Sequence, residues 1–265
     1  MLSGGIDRAV LEHDLVTGQT TVIGTHDKPV RGIGHTSAGY SLPDLTVTGG
    51  WDNTVRFWDR RAKRCVATSK TSGKVFSLSA VGPRVVAALS GLRVAVWDLN
   101  RDLSAPEAER ESSLKYQTRA VRIFPDASAF AIASIEGRVA VEYFDMSPAS
   151  QERKYAFKCH RTHDADGKVT VYPVNAIAFH KGYGTFATGG CDGCVCIWDG
   201  QHKRRICQLP TFPTSIAALA FNDPGKLLAV ASSYTFEEGE KNPPPLDQIF
   251  IREVDESEVK PRGRR

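Results

Sequence analysis

One short pattern recurs along the chain, and it restricts the possible folds more than any other feature of the sequence. The pattern consists of small residues, a tight turn with an acidic residue, alternating residues, an aromatic residue and a final Asp. Copies lie at residues 3–15, 48–60, 89–100, 133–145 and 188–200, and a degraded copy begins at 231–239 and resumes at 248–254. Their closing acids are Asp14, Asp59, Asp98, Asp145, Asp199 and Glu253, at intervals of 45, 39, 47, 54 and 54 residues. Such intervals are typical of four-stranded blades that end in Trp-Asp.

Each copy is expected to form β-strands. Segments such as "TVRFW" and "VCIW" alternate and are rich in β-branched and aromatic residues, as in half-buried strands. Gly-rich turns such as "GGWDN" and "GGCDG" supply the positive φ angles that tight hairpins need. A ring of such sheets leaves few edges exposed. The pattern therefore predicts an all-β β-propeller of about six blades, with the first blade incomplete.

Composition excludes several other classes of protein. The chain has 265 residues, 41% of them hydrophobic and 24% charged, which is ordinary for a soluble globular protein. No apolar run is long enough for a membrane span, so no membrane is expected as a partner. The net charge of +4 is too small to indicate nucleic acid by itself. The six cysteines have no framework spacing, which suggests reduced thiols.

Two blades contain a polar set that resembles the tetrad of WD40 repeats. In that family a loop His, a strand Ser or Thr, a turn Asp and a strand Trp are hydrogen-bonded in series, which pairs buried polar groups. The matching residues here are His26, Thr48, Asp52 and Trp58, and later His160, Thr188, Asp192 and Trp198. A nucleophile and a base could also be drawn from such a set. Because the set recurs by blade, we expect a structural role and no catalysis.

Three cysteines in six positions raise the alternative of a zinc or redox site. Cys191, Cys194 and Cys196 have no second cluster, whereas structural zinc usually takes two spaced pairs of ligands. Aligned with residues 48–60, they occupy the places of Trp51, Thr54 and Arg56. We interpret them as substitutions within a blade, with neither metal nor cofactor, and keep the metal or redox site as the alternative.

Longer sequence segments between the tetrads indicate which WD40 proteins the chain resembles. They are "ESSLKYQTRAVRIFP" (111–125), "SIEGRVAVEYFD" (134–145), "KYAFKCHR" (154–161), "YPVNAIAFH" (172–180), "PTSIAALAFN" (213–222) and "ASSYTFEEG" (231–239). Over nearly the whole chain they resemble the small WD40 propellers of the spindle-assembly checkpoint, the partners of the Bub-type checkpoint kinases. The Rae-type mRNA-export propellers of the nuclear pore are a close relative and share "SIEGR" and "FKCHR".

The checkpoint resemblance implies a non-enzymatic adaptor. Members of that family are seven-bladed propellers that bind a short, partly acidic segment of the Bub-type kinase and of its pseudokinase-like relative. They also bind phosphorylated Met-Glu-Leu-Thr repeats of a kinetochore scaffold and join the checkpoint complex that inhibits the anaphase-promoting complex. The expected location is the nucleus, the kinetochore in mitosis, and also the cytoplasm. The alternative is an mRNA-export propeller that binds a nucleoporin segment.

The same resemblance, together with ligand charge, suggests the binding residues. Acidic and phosphorylated peptides are best met by Arg and Lys, and exposed aromatic residues often anchor them. Arg138 of "SIEGR" matches a family arginine assigned to the kinase segment. The other candidates are Trp51, Lys158 and Arg161, with Arg119 and Tyr172 as weaker ones. For each, ordinary packing or a solvated charge is the alternative.

The chain differs from the family at its start. Its first pattern resembles the family's second, so we expect about 60 to 70 N-terminal residues of the family to have no counterpart here, judged from the blade length. An open or irregularly closed ring is then expected. The predicted domains are a propeller at residues 1–254 and a basic C-terminal tail at 255–265.

Overall fold

The computed structural model describes residues 1–36 and 44–261, which form two compact units. The first unit comprises Met1–Ile123 and the second Phe124–Arg265. Both units consist of antiparallel sheets whose strands follow one another along the chain. Residues 262–265, the last part of the predicted basic tail, lie outside the described residues.

The first unit contains three sheets in chain order and one further strand. The first sheet has three strands, β1 (Leu2–Gly4), β2 (Ala9–His13) and β3 (Thr20–Thr25). The second has four, β4 (Val30–Thr36), β5 (Leu45–Gly50), β6 (Thr54–Asp59) and β7 (Arg64–Lys70). The third has β8 (Val75–Val81), β9 (Arg84–Leu89), β10 (Arg93–Asp98) and β11 (Ala108–Glu111). Strand β12 (Thr118–Ile123) packs against β8, where Val121 N and Ile123 N donate to Ser77 Oγ and Ser79 Oγ.

The second unit has four antiparallel arrangements. They are β13 (Ala129–Ser134), β14 (Arg138–Tyr143) and β15 (Tyr155–Lys158); the hairpin β16 (Arg161–His163) and β17 (Val169–Val171); the four strands β18 (Val174–Phe179), β19 (Phe186–Gly190), β20 (Val195–Asp199) and β21 (Arg204–Gln208); and β22 (Ile216–Phe221), β23 (Leu227–Ser232) and β24 (Gln248–Glu253). Two short helices, α1 (Pro148–Glu152) and α2 (Glu256–Val259), complete the unit.

Each unit has its own hydrophobic core between neighbouring sheets. In the first unit, Phe57 of β6 meets Trp97 of β10 edge to face at 6.3 Å between ring centroids, and both are buried. In the second unit, Ile197 of β20 and Ile216 of β22 belong to one buried cluster with Val259 of α2. The aliphatic and aromatic residues that alternate in the sequence thus form the contacts between sheets.

The structure confirms the predicted all-β, β-propeller class. Each predicted copy of the pattern corresponds to one sheet, and the pattern's turn joins its second and third strands in the complete sheets. The first copy falls in the three-stranded sheet β1–β3, in agreement with an incomplete first blade. Among the described residues, no helix is both long and apolar enough to cross a membrane.

Part of the predicted C-terminal tail is folded. Asp255 caps α2 in a capping box with Glu258. The Asp255 side chain accepts from the backbone N–H of Glu258, and the Glu258 side chain accepts from the backbone N–H of Asp255. Val259 is buried, and its carbonyl oxygen accepts a hydrogen bond from Thr185 Oγ1 at 2.8 Å. These contacts attach residues 255–259 to the β18–β21 sheet.

Candidate functional site

The first predicted tetrad forms one hydrogen-bonded series inside the sheet β4–β7. Trp58 Nε1 donates to Thr48 Oγ1 at 2.7 Å, and Thr48 Oγ1 lies 2.7 Å from His26 Nε2. His26 Nδ1 lies 2.9 Å from Asp52 Oδ2. With Thr48 donating to Nε2 and Nδ1–H donating to the carboxylate, every donor in the series faces an acceptor. The series fixes the loop before β4 to the turn after β5.

The residues around this tetrad shift the pKa values of its Asp and His. Burial would raise the pKa of Asp52, but the hydrogen bonds from Thr54 Oγ1 and Asp27 N, together with the neighbouring His26, lower that pKa below its usual value. Burial lowers the pKa of His26, although Asp52 acts in the opposite direction. Arg56 extends the series, since its Nη2 lies 3.3 Å from Asp52 Oδ2 and its Nη1 donates to Thr25 O.

The second predicted tetrad repeats this geometry in the sheet β18–β21. Trp198 Nε1 donates to Thr188 Oγ1 at 2.9 Å, Thr188 Oγ1 lies 2.8 Å from His160 Nε2, and His160 Nδ1 lies 2.9 Å from Asp192 Oδ1. The two tetrads have the same order of residues and similar distances, and they hold equivalent loops in two sheets. That repetition favours a structural role over a single reactive centre.

The three clustered cysteines match the positions that the alignment of the two repeats gives them. Cys191 N donates to Pro173 O at 2.9 Å, as Trp51 N does to Pro29 O. Cys194 N donates to Asp192 Oδ1 at 3.1 Å, as Thr54 N does to Asp52 Oδ1. Cys196 lies opposite Thr188, where Arg56 lies opposite Thr48.

The thiols of these cysteines have separate surroundings. Cys191 Sγ accepts from Asn175 Nδ2 at 3.2 Å, whereas Cys194 Sγ contacts Thr211 and Gln208. Burial raises the pKa of Cys196 to about 12, which disfavours the thiolate that binds metals or attacks disulfides. In the described residues, no group of three or more His, Cys, Asp or Glu side chains is arranged to hold a metal ion.

In the β8–β11 sheet the buried tryptophan has a different hydrogen-bond acceptor, which the sequence pattern did not indicate. In the β8–β11 sheet, Ala87 of β9 occupies the position that Thr48 has on β5, so Trp97 of β10 has no hydroxyl acceptor at that position. Its Nε1 instead donates to Ser69 Oγ of β7 at 3.0 Å. The buried indole is thus satisfied by the preceding sheet, which ties the two sheets together.

Four of the predicted binding residues lie close together in the second unit. Arg138 begins β14, and Lys158 ends β15 directly opposite it, so both side chains are on one face at the same strand ends. Lys158 is exposed, and the Arg138 side chain is 35% exposed. Arg138 Nε lies 3.7 Å from Glu136 Oε1 in the adjoining turn. We call Arg138, Lys158 and the turn of residues 135–137 together the 135–138 edge.

Arg161 and Tyr172 flank that edge at the base of the hairpin β16–β17. Arg161 Nη2 donates to Glu136 O at 2.9 Å, so this guanidinium is partly used in holding the turn. Tyr172 N donates to His160 O, and its hydroxyl lies 3.4 Å from Thr162 Oγ1. A Cβ at Gly137 would lie 2.7 Å from Cys159 O, which shows how closely the hairpin base approaches the turn.

The remaining two candidates lie in the first unit. Trp51 is in the turn after β5 with 39% of its surface exposed, and Lys74 Nζ lies 5.6 Å from the centroid of its ring. Lys74 was not predicted, although its position in the loop before β8 places it at the same strand ends as the turn of Trp51. Arg119 is exposed on β12.

Comparison with known proteins supports the fold and narrows the family. The WD40 model (WD domain, G-beta repeat) matches residues 18–59 and 157–199, which contain the two tetrads. The mitotic checkpoint protein BUB3.1 of Arabidopsis thaliana is 52% identical over 265 residues, covering 98% of this chain and 76% of that protein. The mitotic checkpoint protein bub3 of Dictyostelium discoideum is 45% identical, covering 98% of this chain and 78% of its own length.

Export proteins are also similar, at lower identity. A poly(A)+ RNA export protein of Schizosaccharomyces pombe is 34% identical over 265 residues, covering 99% of this chain and 74% of that protein. The order of identities agrees with the resemblance to the checkpoint propellers. The chain belongs to the WD40-repeat family of the BUB3 mitotic checkpoint proteins, a non-catalytic scaffold family to which the RNA export proteins are related.

Proposed function

We propose that this protein is a non-enzymatic adaptor of the spindle-assembly checkpoint. It binds a short, partly acidic segment of Bub-type checkpoint kinases and phosphorylated Met-Glu-Leu-Thr repeats of a kinetochore scaffold. It thereby brings the kinases to unattached kinetochores and contributes to the complex that inhibits the anaphase-promoting complex. The observation that carries this proposal is the 52% identity to a mitotic checkpoint protein over nearly the whole chain.

The 135–138 edge supports the peptide part of the proposal. Arg138 and Lys158 present two cations at adjacent strand ends, and the weak 3.7 Å contact of Arg138 with Glu136 leaves the guanidinium able to meet another anion. A phosphate or carboxylate bound there gains charge-assisted hydrogen bonds, which are stronger than neutral ones. Arg161 contributes by holding the turn, and Trp51 with Lys74 offers an aromatic anchor in the first unit.

Charge reversal tests the edge. Arg138→Glu and Lys158→Glu are titrated with the kinase segment and with a phosphorylated Met-Glu-Leu-Thr peptide. Losing one charged hydrogen-bond partner costs about 1.5–3 kcal/mol, which is about ten- to hundred-fold in affinity. Binding of the wild type also weakens with added salt, because exposed charges are screened over about 8–10 Å.

Lys154 provides the matched control, since it immediately precedes β15 and lies at the opposite end of that strand from Lys158. Lys154→Glu makes the same change of charge and is expected to bind both peptides with wild-type affinity. Unchanged affinity of Arg138→Glu and Lys158→Glu, with folded protein, contradicts the assignment of this edge.

The 34% identity to a poly(A)+ RNA export protein favours a second candidate function, in which the same propeller binds a nucleoporin segment in mRNA export. Capture from mitotic cell extract separates the two. Recovery of checkpoint kinases supports the checkpoint adaptor, whereas recovery of nucleoporins and export factors without the kinases supports the export function.

A further inference from the structure

The hairpin β16–β17 has two different faces. Side chains alternate along each strand, so residues two positions apart share a face, and the register pairs them across the hairpin. One face carries an arginine, a histidine and two valines: Arg161, His163, Val169 and Val171. Thr162 and Thr170 are paired on the opposite face. We call the first of these the valine face.

The base of the valine face packs on the turn of the 135–138 edge. A Cβ at Gly137 would lie 2.9 Å from Val171 Cγ1, and Arg161 Nη2 donates to Glu136 O at 2.9 Å. Val169 is two residues further from the base, on the same face as Val171. Both valines remain partly open to solvent, with 42% of Val169 and 37% of Val171 exposed. A partly exposed apolar surface therefore adjoins the cations of the 135–138 edge.

The charges around the valine face differ between the two ends of the hairpin. Three cations and one acid lie at its base: Arg138, Lys158, Arg161 and Glu136. Two acids and one cation lie at its tip: Asp164, Asp166 and Lys168. Opposite charges attract and like charges repel. An anionic ligand of the valine face is therefore expected to place its charges at the base, beside the 135–138 edge.

An extended peptide can meet both surfaces at once. Its alternate side chains point to opposite sides, with about 6.8 Å between neighbours on one side. Val169 and Val171 have a similar separation, because they are alternate residues of a strand. In a Met-Glu-Leu-Thr segment, the Glu and the phosphothreonine share one side, and the Met and the Leu share the other. This alternation of anionic and apolar residues matches the cations and the valines that lie side by side here.

We propose that the valine face is an apolar subsite for a phosphorylated Met-Glu-Leu-Thr peptide. This inference rests on the proposed function and adds the apolar half of the recognition. Arg138 and Lys158 meet the Glu and the phosphothreonine, whereas Val169 and Val171 meet the Met and the Leu. The hairpin then makes the protein select peptides in which anionic and apolar residues alternate, over peptides that only carry a phosphate.

Val169→Ala tests the subsite by calorimetric titration with the phosphorylated peptide. Each methyl group removed from an apolar contact weakens binding about four-fold, so the loss of two is expected to cost about four- to fifteen-fold in affinity. Thr170→Ala is the matched control, since it shortens the neighbouring side chain on the opposite face of the same strand. It is expected to bind with wild-type affinity.

A second peptide, with Ala in place of both Met and Leu, completes a double-mutant cycle. Val169→Ala is expected to bind this phosphorylated peptide as tightly as the wild type does, because the apolar contact is already absent. An equal loss of affinity for both peptides would show that Val169 only supports the fold of the hairpin, and would overturn the inference.

The wild type separates this inference from the proposed function. Tighter binding of the phosphorylated than of the unphosphorylated Met-Glu-Leu-Thr peptide supports the function. If the wild type binds neither peptide, the function fails and the subsite fails with it. If the wild type binds the phosphorylated peptide and Val169→Ala binds it equally well, the subsite alone is wrong.

Discussion

At the scale of the residue, the two tetrads show how a polar side chain becomes part of a buried sheet. Asp52 is almost inaccessible, yet it accepts hydrogen bonds from Thr54 Oγ1 and Asp27 N and contacts His26 Nδ1. A carboxylate satisfied in this way stabilises the fold, whereas its removal leaves buried donors without partners. We therefore expect Asp52 to contribute to the stability of the fold.

Asp52→Ala is expected to lower the free energy of unfolding by about 1–3 kcal/mol for each donor left without a partner. Asp27→Ala is the control: its side chain is 82% exposed and contacts Arg56, and such surface ion pairs contribute about 0–1 kcal/mol. Urea unfolding of both variants measures the difference. Equal loss of stability in the two would show that the tetrad contributes no more than a surface ion pair.

At the scale of the element, the turn of residues 135–137 is shaped by the hairpin that packs on it. Gly137 has φ of +62°, and a Cβ there would approach Cys159 O at 2.7 Å and Val171 Cγ1 at 2.9 Å. Glycine is therefore required at this position for two reasons, the positive φ angle and the lack of space for a side chain. The position of Arg138 depends on this turn, so a change at Gly137 acts on the proposed peptide-binding edge as well.

Gly137→Ala is expected to destabilise the protein more than Gly167→Ala does. Gly167, at the tip of the same hairpin, also has positive φ, +77°, but nothing lies within 4 Å of its added Cβ. Both variants carry the cost of a left-handed backbone, about 1–2 kcal/mol, and only the first also displaces the hairpin base. Thermal unfolding compares them, and affinity for the phosphorylated peptide is expected to fall only in Gly137→Ala.

At the scale of the whole molecule, stability is expected to fall in acid. Burial lowers the pKa of folded His26, so the unfolded chain, with a His pKa of about 6.5, takes up the proton first. The stability that neutral His26 contributes is complete above about pH 6.5 and is lost as the pH falls through the lower folded value. Asp52 acts in the same direction at lower pH, because its folded pKa is also lowered.

Urea unfolding at pH 7.5, 6.5 and 5.5 measures this effect. The wild type is expected to lose stability between pH 6.5 and pH 5.5, and His26→Gln, which lacks the titrating ring, is expected to show a shallower decline. The comparison uses slopes, since His26→Gln also breaks the tetrad and starts from a lower stability. Identical slopes would show that this histidine does not link folding to pH.

The repeated pattern by itself predicted a sheet at each of its copies, because strand alternation and turn chemistry are local and recur in every blade. The two tetrads and the family came from the resemblance to WD40 repeats and from the longer segments between the tetrads. The pattern also placed Cys191, Cys194 and Cys196 correctly at repeat positions, and the pairing of Cys196 opposite Thr188 follows from that register. These properties depend on residues a few positions apart or on neighbouring strands, so a single sequence contains enough information to predict them.

Only the tertiary structure decided which side chains meet across sheets. Trp97 finds its acceptor on Ser69 of the preceding sheet, Lys74 lies beside Trp51, and Arg161 is partly used in holding the turn at Glu136. Ile249 and Ile251 are exposed, although the alternation of residues in β24 resembles that of strands whose apolar side chains are buried. Contacts between sheets depend on how the blades pack, and no local pattern specifies that packing.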